Sequence, residues 1–338
     1  MSIPSKRIIS GIQPTGNLHL GNYLGAIKNW VPMQKEYECL FCIVDLHAIT
    51  IWPELSGIAK ASREVAAAMI ASGIEPNSST IFIQSHVPAH TQLAWLFNCV
   101  SRLGWLNRMT QFKEKTGKNK EKMSSGLMVY PNLMAADILA YKASHVPTGE
   151  DQKQHLELAR DIAIKFNADT GCEVFSPPNP VIQGTGTRVM SLRDGREKMS
   201  KSGASDMARI NLVDPPEKIA EKVKRAKTDP DLLPDNIAAL DGRPEAMNLI
   251  KIYASLSNST IQAVLLEFSG KGFGLFKPKL TDLCVSVVEP IRVRMNELLE
   301  QDPKELDTLI KKGADKANSI AKPIVREAYD AVGFLKIN

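Results

Sequence analysis

His19 and Asn22 flank Gly21 in the stretch GNLHLGNYLGA, residues 16–26, which follows an apolar, β-branched run and opens a helix-like pattern. A strand, a glycine-rich turn and a helix start make an anion site. Backbone N–H groups point outward there and the helix dipole favours negative charge. The two side chains are one helical turn apart, so both can face one phosphate group. Gly21 leaves bare backbone on which a flat adenine ring can lie, where any Cβ would collide. The loop is not the dinucleotide fingerprint, because G-x-G-x-x-G is absent. It is not a Walker A loop either, because no Gly-Lys-Ser/Thr follows. Taken alone, the four residues HLGN also fit a helix cap with a solvated histidine.

A distant stretch, KMSKS, residues 198–202, strengthens the first. Two lysines separated by Met-Ser place flexible positive charge beside hydroxyl groups. That suits a mobile loop closing on a triphosphate or pyrophosphate, although a lone Lys/Ser run also fits a solvated linker. KMSSG, residues 122–126, shares part of the pattern. It lies in a Lys-rich loop ahead of a helical block, whereas the partner of the glycine loop belongs after the last core strand. Lys198 fits that position and Lys122 does not.

These groups need a scaffold, and the first half of the chain supplies one by alternating strand-like and helix-like pieces. Residues 7–12, 40–45 and 79–85 read as strands; 56–72 and 90–101 read as helices. This βαβ rhythm predicts a parallel sheet with ligands at the carboxyl ends of its strands. A helix is expected over 131–143, with Pro131 at its start, then a short strand or turn at HVPTG and a helix over 150–166. After a Pro/Gly-rich connection the chain is mostly helical from Pro215 to Glu300, and again over about 303–334.

Composition sets the bounds. With 338 residues, 43% hydrophobic and 23% charged, the chain is long enough for about two domains. A net charge of +5 permits a nucleic-acid partner without demanding one. No apolar run approaches a membrane span. The N-terminal MSIPSKRIIS leaves no room for a targeting peptide, and five cysteines without framework spacing suit reduced thiols, so a cytoplasmic location is expected. Cys39 and Cys42 form a lone C-x2-C. They lie in a strand-like run where residues three apart face opposite sides, which favours a structural reading over a metal or redox pair.

The glycine loop and KMSKS together resemble the two signature stretches of class I aminoacyl-tRNA synthetases. DLHAIT (45–50), NRMTQFKEKTG (107–117) and VPTGEDQKQHLELARDIA (146–163) narrow the resemblance to the bacterial type of tryptophanyl-tRNA synthetase, over nearly the whole chain. It implies an α/β fold with a Rossmann-like parallel sheet in a catalytic domain over 1–200. A smaller all-helical anticodon-binding domain over 201–302 follows, and a C-terminal helix over about 303–338 packs back on the first. It also implies a ligase reaction with ATP and Mg²⁺ carried by ATP, L-tryptophan and its tRNA as partners, and a homodimer.

Residue roles follow from the resemblance and the chemistry together. Gln13, Pro14 and Thr15 line the ATP side, and Gly21 lies under adenine. His19 takes the first histidine position of the HIGH tetrapeptide and Asn22 its last, where Asn can donate to phosphate but cannot titrate. Gly149, Glu150 and Asp151 form the ribose- and adenine-facing strand end, and Val189 and Met190 lie in the segment that contacts adenine. Lys198, Met199, Ser200, Lys201 and Ser202 hold pyrophosphate, with Lys113 and Lys115 as further cationic candidates. For the amino acid, Asp137 is the acceptor for the indole N–H, on an otherwise apolar helix near Met134 and Tyr130. From pattern alone it fits equally a surface or locally paired carboxylate. Gln152 faces the α-ammonium and Ile9 lines the pocket. Ile9 stands where relatives often carry Phe, and Thr148 where Val is usual; Gly203 and Ala204 depart from the usual Asp-Pro. Lys218, Lys222, Lys224, Arg225 and Lys227, within 217–229, face either RNA backbone or solvent. Tyrosyl-tRNA synthetases, small nucleotidyltransferases and a non-catalytic tRNA-binding paralogue are the alternatives. The retained His19, Lys198 and Lys201 weigh against the last.

Overall fold

The computed structural model describes residues 6–14, 16, 18–50, 57–109, 124–147, 152–181, 188–201 and 205–336. Thr15, Lys113, Lys115, Lys122, Thr148, Gly149, Glu150, Asp151, Ser202, Gly203 and Ala204 lie outside them. Strands β1 (Arg7–Ile12), β2 (Glu38–Ile43), β3 (Thr80–Ile83), β4 (His145–Pro147) and β5 (Asn179–Val181) form one sheet. Its order is β3-β2-β1-β4-β5, with every pairing parallel.

The strand runs are apolar throughout because both sheet faces are covered. Side chains alternate between two layers. Ile8, Cys39, Phe41 and Ile43 join one core, and Ile9, Leu40, Cys42 and Phe82 join the other. The C-x2-C is therefore split across the sheet, in keeping with a strand role. Burial, with Glu38 adding to it, pushes the Cys39 thiol up to about 12. From β1 the chain steps outward to β2 and β3, then returns past β1 to β4. That reversal leaves a crevice at the carboxyl ends of β1 and β4.

The longer helices are α1 (Ile58–Ala71), α2 (Ala89–Val100), α3 (Ser125–Leu139), α4 (Lys153–Thr170), α5 (Pro216–Lys224), α6 (Pro244–Ser257), α7 (Ile261–Phe268), α8 (Phe273–Asn296) and α9 (Pro303–Val332). Ala66, Ala67 and Ala68 let α1 lie close on the first layer, while α2, α3 and α4 cover the second. Ile219, Leu249 and Phe276 from the later helices share the core of Ile8 and Phe41, so the helical region continues the first layer. Helix α3 starts earlier than the sequence reading placed it. The Ser124 hydroxyl accepts from Leu127 N–H at 3.3 Å and caps the helix. Pro131 sits inside the helix, and Tyr130 belongs to it rather than preceding it.

Helix α9 crosses the sheet edge. Leu306 and Ile310 pack in the first core, whereas Ala314, Ala317 and Ala321 pack in the second. Between them Gly313 rests against the Ile81 carbonyl, so closely that a Cβ would overlap it. Asn318 Nδ2 also donates to the His86 carbonyl at 3.0 Å. The helix thus covers the edge strand β3. Gly313→Ala is expected to lower stability by about 1–3 kcal/mol through overpacking, read from urea denaturation. An unchanged midpoint would contradict this close approach.

Candidate active site

Past the end of β1 the chain turns at Gly16, whose φ of +97° is in the region glycine favours. Gln13 is exposed and Pro14 buried. His19 is extended and caps the short helical turn Leu20–Asn22. Its Nδ1 accepts from Gly21 N–H at 3.1 Å, and Asn22 Oδ1 accepts from His19 N–H at 3.1 Å. This reciprocal capping fixes the tautomer: with Nδ1 accepting, the ring proton of the neutral imidazole sits on Nε2. Burial, then Lys201, Arg209 and Lys198, pushes His19 down to about 4. At neutral pH His19 is an uncharged donor. A Cβ on Gly21 would stand 3.0 Å from His19 Cε1 and Nδ1 and 3.5 Å from Met199 Cβ. The capping ring itself therefore borders the bare backbone that the sequence reading left open for adenine.

The lysine loop reaches this turn through a hairpin. Met190 and Lys198 form an antiparallel bridge, Met199 N–H donates to Val189 C=O at 3.1 Å, and Ser191 N–H to Glu197 C=O at 2.8 Å. Val189 and Met199 are buried, Lys198 is exposed, and Ser200 and Lys201 are half-buried. Lys201 Nζ donates to the Gly16 carbonyl at 3.0 Å. Burial pushes Lys201 down to about 8, against an opposing pull from Glu64. A second bridge follows the loop. Leu20 N–H donates to Ile210 C=O at 2.8 Å and Leu212 N–H to Leu18 C=O at 2.9 Å, with Asn211 opposite His19.

Asp137 is buried on α3, not on its surface. Its Oδ1 accepts from Gln84 Nε2 at 2.6 Å and from His90 Nδ1 at 2.6 Å. Its Oδ2 lies 2.7 Å from His47 Nε2. His90 Nε2 lies 2.8 Å from the Tyr141 hydroxyl. Burial holds that hydroxyl protonated, so it donates to Nε2 and His90 passes its Nδ1 proton toward the carboxylate. Burial alone would raise Asp137; His47 and His90 outweigh it and hold it at about 2. Tyr130 joins the group, its ring edge-on to His47 at 6.1 Å and its hydroxyl 2.9 Å from His155 Nε2. Burial raises Tyr130 to about 12. Met134 is half-buried one turn before Asp137, Ile9 is buried in the same layer as Leu40, and Gln152 stands at the N-terminus of α4.

The sequence reading missed His47, Gln84, His90, Arg209 and Asn211. His47 and Gln84 follow the ends of β2 and β3, His90 lies on α2, and Arg209 and Asn211 come in with the second bridge, so no local pattern in the sequence joins them. In the basic stretch 217–229, Lys218, Lys224, Arg225 and Lys227 are exposed and only Lys222 departs from the sequence reading. Lys222 is fully buried, 2.5 Å from Asp214 and 2.9 Å from Asp206. Lys218, Arg225 and Lys227 pair with Asp206, Glu221 and Glu245 at 2.9, 3.2 and 2.8 Å. Lys218 and Lys222 tie α5 to Asp206 in the segment after KMSKS, whereas Arg225 pairs within its own helix end and Lys227 with the start of α6.

Asp137→Ala strands three donors and is expected to destabilise the protein by about 3–5 kcal/mol at pH 7. The folded carboxyl titrates near 2, below its usual value of 3.8. Its contribution is therefore complete above about pH 4 and disappears as pH falls toward 2. Denaturation of wild type and variant at pH 7 and pH 3 should show the gap narrowing in acid; an equal gap at both pH values would contradict the network.

A family model described as tRNA synthetases class I (W and Y) matches residues 4–288. A tryptophan–tRNA ligase from Caulobacter vibrioides is 56% identical over 329 residues, covering 97% of this chain and 95% of the relative. Among solved structures, a tryptophanyl-tRNA synthetase from Mycoplasma pneumoniae superposes with a TM-score of 0.86 at 30% identity, covering 98% of each chain. One from Campylobacter jejuni, complexed with ADP and tryptophan, gives 0.81 at 32% identity, covering 97% of this chain and 100% of that one. With its two signature loops hydrogen-bonded to each other at the carboxyl ends of a parallel sheet, the chain belongs to the class I tRNA synthetases of the W and Y family, among the tryptophan–tRNA ligases.

Proposed function

We propose that this chain activates L-tryptophan with ATP, giving tryptophanyl-adenylate and pyrophosphate, and then transfers tryptophan to its tRNA. The observation that carries the reading is the meeting of the two loops, with Lys201 Nζ 3.0 Å from the Gly16 carbonyl. In the first step the tryptophan carboxylate attacks the α-phosphorus and the bond to the β-phosphate oxygen breaks. His19 donates through Nε2–H, and Asn22, whose Oδ1 is committed to the cap, donates through its NH₂. Lys198 and Lys201 neutralise the departing pyrophosphate, with Ser200 beside them. No covalent enzyme intermediate is needed, so positioning and electrostatics carry the acceleration. In the second step a ribose hydroxyl of the terminal adenosine attacks the acyl carbon and AMP leaves. Mg²⁺ enters with ATP. The groups around His19 are the cations Lys198, Lys201 and Arg209, which suits ion coordination by phosphate and water rather than by a carboxylate cage.

Asp137 selects the amino acid. A carboxylate has about four lone-pair sites, and Gln84, His90 and His47 take three, which leaves one on Oδ2 for the indole N–H. Phenylalanine would leave it unpaired, a mismatch worth about 10⁴–10⁵ in selectivity. The helical region 201–302 takes the anticodon part of the tRNA. The assembly is a homodimer, a reading supported by Trp95 and Leu103, large apolar side chains each 68% exposed. A solution mass of one 37.2 kDa chain would contradict it. A cytoplasmic location fits this substrate, and among the described residues no helix is long and apolar enough to cross a membrane.

ATP–pyrophosphate exchange without tRNA, run with tryptophan, tyrosine and phenylalanine, tests the function. Exchange is expected with tryptophan alone; exchange with tyrosine would overturn the role of Asp137. His19→Ala and Lys201→Ala should each slow exchange by about 10²–10³-fold, as for loss of one transition-state donor, with unchanged unfolding. Near-normal rates in both would sink the assignment. The pH profile follows from the same groups. Lys201 carries charge below about 8, and His19 is neutral above about 4. The kcat/KM for ATP is therefore expected to be flat near neutrality and to fall about tenfold per pH unit above 8. A Lys201→Arg variant should move that fall upward; a fall at the same pH would exclude Lys201 as its source.

A further inference from the structure

One side chain from the helical region grips the root of the lysine hairpin. Asn248, on α6, is 2% exposed. Its Oδ1 accepts Met190 N–H at 2.8 Å, and its Nδ2 donates to Met190 C=O at 2.9 Å and to Ser191 C=O at 3.3 Å. A primary amide carries the same donor and acceptor as a peptide group, so Asn248 pairs with Met190 as a neighbouring strand would. Met190 in turn faces Lys198 across the antiparallel bridge.

The same face of the hairpin has little freedom to move. At its tip, Gly195 lies so close to Pro244 and Glu245 that a Cβ would overlap their backbone. Lys227 N–H donates to Leu192 C=O at 2.8 Å, and Arg193 Nη1 to Arg225 C=O at 2.9 Å. On the far side of the loop, buried Lys222 holds Asp206 and Asp214. Both stems of the lysine loop are therefore held by residues of the helical region.

We infer that Asn248 is a positioning residue for the lysine loop: through Met190 it sets where Lys198 and Lys201 stand relative to the glycine loop. This deepens the proposed function and rests on that reading. Asn248 touches no substrate in this account. It acts because Met190 and Lys198 move together, and a misplacement of about 1 Å in a site that works by positioning costs about 10²-fold.

The test compares wild type with Asn248→Ala and the milder Asn248→Ser. Three quantities are measured: the KM for ATP in tryptophan-dependent exchange, the Kd for tryptophan without ATP, and amide hydrogen exchange across 188–201. Asn248→Ala is expected to raise the ATP KM about tenfold or more and Asn248→Ser by less. The tryptophan Kd should stay unchanged, and amide exchange should quicken in the hairpin while β1 and α3 remain protected. Folded variants with wild-type ATP KM and wild-type hairpin protection would overturn the inference. So would parallel weakening of ATP and tryptophan, which marks a general structural loss. If Asn248→Ala does not fold, Asn248→Ser decides on the same readouts. Wild type without tryptophan-dependent exchange would sink the proposed function instead, and hairpin protection in the two variants would still decide the grip.

Discussion

The antiparallel pairing of residues 18–20 with 210–212 is the constraint on which the site depends. Its two backbone hydrogen bonds flank His19, so the residue that caps Gly21 is held against the segment after the lysine loop. That segment is itself fixed by charge. Asn211 N–H and the Lys222 ammonium both bond Asp214, and Lys222 also holds Asp206. Taking a lysine fully out of water is costly unless it is paired, and here two carboxylates share the compensation. The buried ion cluster, the bridge and the capped histidine form one connected series from helix α5 to His19.

The clusters around His19 and Asp137 solve opposite electrostatic problems. Around His19, burial first and then the positive field of Lys201, Arg209 and Lys198 keep the imidazole neutral, with its proton on Nε2. Around Asp137 the field must favour a buried negative charge, and three convergent donors supply it. The donors come from the carboxyl ends of β2 and β3 and from α2. The parallel sheet brings them together because its strand ends all open on the same edge. Tyr141 and His90 extend the polar chain into the second core, where Phe82 packs against both rings.

The helical region does more than continue the core. Its contacts with the hairpin are polar and specific: an amide on a backbone, a glycine against a helix start and paired cations. These contacts join α6 and the segment just after α5 directly to the lysine hairpin, without passing through the sheet.

Much was legible in the residues themselves. Apolar, β-branched runs gave β1, β2 and β3 within about two residues, because strands buried on both faces leave a continuous signal. The C-x2-C was readable as strand residues for the same reason. The start of α3 was not, because Pro131 suggested a first turn while the true cap, Ser124, sat in a lysine-rich loop. The residue types at 19, 22, 198 and 201 were compatible with anion binding and that at 137 with an acceptor, but each also fitted a bland role, and only the resemblance across the five stretches singled them out. Only the tertiary structure decided their states. Whether His19 is charged, whether Asp137 is ionised and whether Lys222 faces solvent depend on burial and on partners far away in the chain. Lys201 and Gly16 are 185 residues apart. Local pattern carries no information about such distances, because folding sets them through packing rather than through neighbours in sequence.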